Sequence, residues 1–82
     1  MIKSRNNSDY QNFLLWLKKC RLEKGLTVRQ LGVLLDEPFQ SVSKIENGQR
    51  NLTVHEYTQY CEVMGIDCTI GINILIPKSK IK

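Results

Sequence analysis

Residues 27–48 read TVRQLGVLLDEPFQSVSKIENG, from Thr27 to Gly48, and their spacing is that of two short helices around a tight bend. Thr27 is a side-chain N-cap, and Gln30 three residues on completes a capping box. Leu31, Leu34 and Leu35 fall on one face of the first helix, with Val28 beside them. Pro38 ends that helix, because the residue before a proline is pushed out of the α region and proline has no N–H to give. The same proline suits the first position of the next helix, Pro38–Asn47, where a missing N–H is no loss. Gly48 stands where a left-handed residue closes it.

The second helix carries the chemistry. At about 100° per residue, Val42 and Ile45 lie roughly 60° apart and define its buried side. Opposite them come Gln40 and Asn47, flanked by Ser43 and Lys44, with Phe39 and Ser41 on the borders. The outward face is therefore amides, hydroxyls and a cation, with no carboxylate. Such groups read base edges and phosphates: Gln pairs with adenine, Lys with guanine or phosphate, Ser with either. Glu46, the one acid of this helix, rotates back toward the core.

This stretch resembles the helix-turn-helix of the Xre/Cro family of phage and bacterial repressors, whose pattern runs roughly T-Q-x-x-L-A-x-x-L-G-V-S-x-S-x-I-S-x-I-E-N-G. Thr27, Leu31, Leu35, Ser43, Ile45, Glu46, Asn47 and Gly48 match it, and Val42 is a close substitute for an isoleucine. The departures are Val28 for the usual glutamine, Gly32 for alanine, and Asp36-Glu37-Pro38 for Gly-Val-Ser. Asp36 is less permissive in the turn than glycine, and Gly32 weakens its helix by roughly 1 kcal/mol relative to alanine. Upstream, Arg21-Leu22-Glu23-Lys24-Gly25-Leu26-Thr27 aligns with the family's R-x-x-K-G-L-T. The resemblance implies an ion pair between Arg21 and Glu46 that holds the end of the recognition helix against the first helix.

The rest of the chain bounds the reading. Eighty-two residues make one small domain, and a domain this size gains from a partner subunit. Twelve basic and eight acidic residues give +4, which favours a polyanionic partner. No apolar run reaches the roughly 18 residues that span a bilayer, and the first residues lack the apolar core of a secretory signal. Cys20, Cys61 and Cys68 form no C-x-x-C pair, so neither a disulfide frame nor a zinc site is indicated, and reduced cytoplasmic thiols are expected. Paired carboxylates, a nucleophile with its base and a Gly-rich phosphate loop are all lacking, which argues against an enzyme. No cofactor, metal, membrane or small-molecule substrate is expected. His55 stands by itself in a helix's first turn.

In order, residues 1–7 form a polar arm with Lys3 and Arg5. Ser8 and Gln11 make a capping box for a helix to about Lys24, stopped by Gly25, with Tyr10, Phe13, Leu14 and Leu17 inward. Leu15 and Trp16 fall partly off that stripe, Trp16 being either a partner surface or a half-buried core edge. After Gly48, Gln49-Arg50-Asn51 leads away in a loop whose Arg50 is the obvious phosphate cation. Thr53 and Glu56 form a third box, with Leu52 as its staple, for a helix from Val54 to about Met64 with Val54, Tyr57, Cys61 and Met64 inward.

In Cys68–Ile76, CTIGINILI, the isoleucines at 70, 72, 74 and 76 alternate with other residues, a strand period. The expected fold is thus mainly α: a four-helix, lambda-repressor-like helix-turn-helix domain over 8–66, a dimerisation strand over 67–77 and a basic tail over 78–82. A lone strand must satisfy its N–H and C=O groups, most simply by pairing with a second copy; folding back as a cap is the alternative. Thr69, Ile70, Ile72, Ile74 and Ile76 would line that interface. Such a strand also resembles those of Cro-type repressors and HipB-type antitoxins.

The expected function is a repressor that binds a palindromic operator on double-stranded DNA as a homodimer, its two recognition helices spaced roughly 34 Å apart. Gln40 and Lys44 read base edges, Ser41 and Ser43 assist, and Phe39 either presses on a thymine methyl or packs beside the turn. Thr27, Val28, Asn47, Gln49 and Arg50 are the expected phosphate positions, with the first backbone N–H groups of the Thr27 helix adding to them. The alternative is an antitoxin that also binds a toxin protein, for which the strand, an exposed Trp16 and the tail speak.

Overall fold

The computed structural model describes residues 8–76 and folds them into five helices: α1 (Ser8–Glu23), α2 (Val28–Leu35), α3 (Phe39–Glu46), α4 (Val54–Met64) and α5 (Cys68–Leu75). The expected arm at 1–7, the tail at 78–82 and the stop at Pro77 lie outside the described residues, and Ser8, expected as the N-cap of α1, is the first described residue of that helix.

The core is one cluster. From α1 it takes Phe13, Leu14, Leu17 and Cys20; from α2, Leu31; from α3, Val42 and Ile45; from α4, Tyr57, Tyr60, Cys61 and Met64. The α1 residues recur at three- and four-residue steps, the spacing of one helical face. Two places depart from the expected pattern. Leu34 is exposed, and Gly32 takes the inward place beside Leu31. In α4, Val54 is exposed and Tyr60 is buried instead.

Two capping boxes position the short helices. The Thr27 hydroxyl accepts from the Gln30 N–H at 3.1 Å while the Gln30 side chain accepts from the Thr27 N–H at 2.8 Å. Thr53 and Glu56 repeat the arrangement at the start of α4, at 3.1 and 2.9 Å. Each box satisfies two donors that a helix start otherwise leaves open.

The C-terminal β-strand is not present: residues 68–75 are helical, and no strand occurs among the described residues. Asp67 caps this helix, accepting from the Thr69 N–H at 2.9 Å and the Thr69 hydroxyl at 2.7 Å. The isoleucine alternation is real but belongs to no buried face. Gly71 is buried, Cys68, Ile74 and Leu75 are half-buried, and Ile70, Ile72 and Ile76 stay exposed. The inward positions 68, 71 and 74–75 follow the helical period. Gly71 decides the packing. A methyl group there would lie 2.7 Å from the Trp16 ring and 2.8 Å from the Phe13 ring, so only glycine lets α5 approach α1 this closely. The Tyr57 hydroxyl donates to the Cys68 carbonyl at 2.6 Å, tying α5 to α4 as well. Tertiary contact here overrides the β preference of four isoleucines. Thr69, Ile70, Ile72, Ile74 and Ile76 are therefore residues of a helix and its end, and the described residues offer no edge strand for them to pair through.

Candidate nucleic-acid interface

The α2–α3 junction is tight because of glycine and aspartate. A methyl group on Gly32 would lie 2.8 Å from the Glu37 carbonyl oxygen and 3.2 Å from the Phe39 Cα. The Glu37 N–H donates to the Gly32 carbonyl at 2.9 Å. Glycine costs α2 some intrinsic propensity, yet alanine would push the bend open. Asp36 closes α2 in the left-handed region, φ 57° and ψ 43°, where a non-glycine residue is tolerated best when it is Asp or Asn. Pro38 (φ −59°, ψ 143°) sits one position earlier than expected, as the residue before α3 rather than its first.

This bend presents α3 across the domain. Val42 and Ile45 are 1% and 2% exposed and anchor it from behind, while Gln40, Lys44 and Asn47 face solvent. Ser41, Ser43 and Phe39 are half-buried on its borders. Pro38 offers no side-chain cap, so the first N–H groups of α3 carry no side-chain acceptor.

Behind the helix, Glu46 receives Arg21. The Arg21 Nε donates to Glu46 Oε2 at 2.6 Å and its Nη2 to Oε1 at 3.0 Å, while Nη1 donates to the Leu26 carbonyl at 2.7 Å. A planar guanidinium can make this fork and an ammonium cannot. The pair removes the only carboxylate of α3 from the outward face.

The loop after Gly48 (φ 76°) folds back on α3, with the Gln49 and Arg50 N–H groups both donating to the Lys44 carbonyl, at 2.8 and 3.3 Å. Gln49 is exposed and Arg50 half-buried. The Arg50 guanidinium is not free: it donates to Glu56, whose other oxygen caps α4. That bond raises the Arg50 pKa, and the Thr53 backbone N–H, followed by Arg50, holds the Glu56 carboxyl below its usual range. Tyr60 lies buried behind both pairs. Burial pushes its phenol up, and the Glu46 and Glu56 carboxylates push it further.

Thr27 is exposed with its hydroxyl engaged in the α2 cap, and Val28 is half-buried against the core. Position 28 thus offers no polar side chain to the surface. The expected positions Thr27, Gln40, Ser41, Ser43, Lys44, Asn47 and Gln49 lie along α2, α3 and the loop that follows. One neighbour was missed by spacing: Arg29, exposed on the first turn of α2, has its guanidinium carbon 4.0 Å above the Phe39 ring. Ten residues separate the two, and only the tight bend brings them together.

A helix-turn-helix family model matches residues 17–70. The chain belongs to the Xre family. A solved structure of an XRE-family like protein from Pseudomonas syringae pv. tomato str. DC3000 is similar over 84% of each chain, with 35% identity and a TM-score of 0.77. No curated protein matches. Family membership makes this chain a DNA-binding transcription regulator and not an enzyme. No helix among the described residues is long and apolar enough to cross a membrane, and none of their His, Cys, Asp and Glu side chains group to hold a metal.

Proposed function

We propose that this Xre-family chain is a cytoplasmic repressor that binds a two-fold-symmetric operator as a homodimer, inserting α3 into the major groove. One observation carries the reading: the solvent face of α3 is Gln40, Lys44 and Asn47, while its apolar side is fully packed and its carboxylate is turned inward. Gln40 and Lys44 contact base edges, with Ser41 and Ser43 beside them. Thr27, the start of α2 at Val28, Asn47, Gln49 and Arg50 line the phosphate backbone.

The second copy docks on the outer face of α5. Ile70, Ile72 and Ile76 are 48%, 43% and 52% exposed there, and Val54 next to the same seam is 82% exposed. Tyr10, Leu52, Val54, Ile72 and Leu75 line a shallow apolar groove between α1, α4 and α5 that a helix from a twin subunit can fill. Apolar patches of this kind mark association surfaces, and two-fold symmetry makes one patch serve both partners. Of the features that favoured an antitoxin, the strand is replaced by helix at 68–75, Trp16 is half-buried with its ring centroid 6.0 Å from that of Phe13, and the tail lies outside the described residues.

Selection of bound duplexes from a random pool tests the reading. A repressor of this design recovers an inverted repeat whose half-sites lie about one helical turn apart. Recovery of no consensus, or of a single unrepeated half-site from a monomer in light scattering, would overturn the sequence-reading dimer.

A further inference from the structure

Arg29 is a cation with a defined place and no carboxylate partner among the described ion pairs, which join Arg21 to Glu46 and Arg50 to Glu56. Its guanidinium instead rests over Phe39, the first residue of α3. The N-terminal turn of a recognition helix is the part that reaches base edges. Gly32, one turn beyond Arg29, holds that turn close because the Glu37 carbonyl and the Phe39 backbone occupy the space a Cβ would need.

We infer that Arg29 is a specificity-determining residue that reads a guanine beside the bases contacted by α3, and that Phe39 is its positioning residue. This rests on the DNA-binding reading of the α3 face. An aromatic face attracts a guanidinium without consuming its N–H donors, so the fork stays available for the O6 and N7 acceptors of guanine. A salt bridge would have neutralised the same group. Phe39 thereby acts through Arg29 rather than on a thymine methyl.

The test selects DNA from a random pool with the wild-type chain, then measures Arg29→Ala, Phe39→Leu and the double variant on the selected duplex and on random duplex. Arg29→Ala is expected to lose about 10-fold or more on the selected duplex, to lose about 2-fold or less on random duplex, and to erase a guanine preference at one position. Phe39→Leu keeps the apolar packing, weakens the same position less, and adds nothing to Arg29→Ala. Equal losses on both duplexes make Arg29 a phosphate cation and overturn the inference. So does an unchanged guanine preference, or a double variant whose losses add. Thermal unfolding of Arg29→Ala, an exposed position, should match the wild type. A wild-type chain that selects no sequence would instead defeat the underlying DNA reading, which separates the two failures.

Discussion

Two arginine–glutamate pairs bracket the C-terminal end of α3, and they are built to opposite ends. In Arg21–Glu46 the side chains are 7% and 6% exposed, both carboxylate oxygens accept, and the third guanidinium nitrogen binds the Leu26 carbonyl just ahead of α2. One arginine on α1 therefore fixes both halves of the helix-turn-helix. In Arg50–Glu56 the exposures are 38% and 22%, and the carboxylate divides itself between the arginine and the α4 cap. The buried pair sets geometry. The outer pair keeps a cation at the surface in a poised, partly neutralised form.

The buried pair offers the largest effect. Isolated burial of a charge is costly, and removing one member of a hydrogen-bonded buried pair typically costs 3–5 kcal/mol. Glu46→Ala should therefore lower the stability of the domain by about 3–5 kcal/mol in urea unfolding. Exchanging both residues for apolar ones of similar volume should restore much of that loss. A loss below about 1 kcal/mol would class the pair with ordinary surface bridges and erase the contrast.

The outward face of α3 should behave in the reverse way. Gln40→Ala removes no packing, so unfolding should be unchanged, while affinity for the selected operator falls by about 1–3 kcal/mol and one base preference relaxes. Arg50→Ala should weaken binding to every sequence alike and reduce the salt dependence by about one unit of slope, with only a small drop in the unfolding midpoint from the lost Glu56 pair. If Arg50→Ala relaxed a base preference instead, the outer pair would belong to readout rather than to the backbone.

How much of this was legible follows from where each signal lives. Caps are local, so the Thr27 and Thr53 boxes were readable from four-residue spacing alone. The faces of α3 were readable because Val42 and Ile45 leave only one side for the polar residues. Residues 68–76 misled because alternation was counted over isoleucines, whereas the residue that packs is Gly71, which carries no hydrophobic signal. Its meaning appears only once Trp16 and Phe13 are beside it. The same holds for Gly32, which reads as a weak helix position until the Glu37 carbonyl is seen against it. Arg29 over Phe39 and Glu56 against Arg50 are contacts across turns, and no periodicity encodes them.

The smallest effect is the most discriminating for the outer pair. Glu56→Gln keeps an oxygen for the Thr53 N–H and removes the charge that holds Arg50. If Glu56 competes with DNA phosphate, the freed arginine should raise affinity for random duplex roughly 2-fold at low salt. Acid titration reads the same residue. The folded-state pKa of Glu56 lies below its usual 4.5, so its contribution to stability is complete above that value and is lost as pH falls through the folded value. Glu56→Gln should therefore lower stability modestly at neutral pH, where the charged group contributes, leave it nearly unchanged at acid pH, where the wild-type residue is already protonated, and so flatten the acid limb between them. A flattened acid limb with no gain on random DNA would mean that the carboxylate serves the α4 cap and the loop, and that Arg50 reaches phosphate without having to leave it.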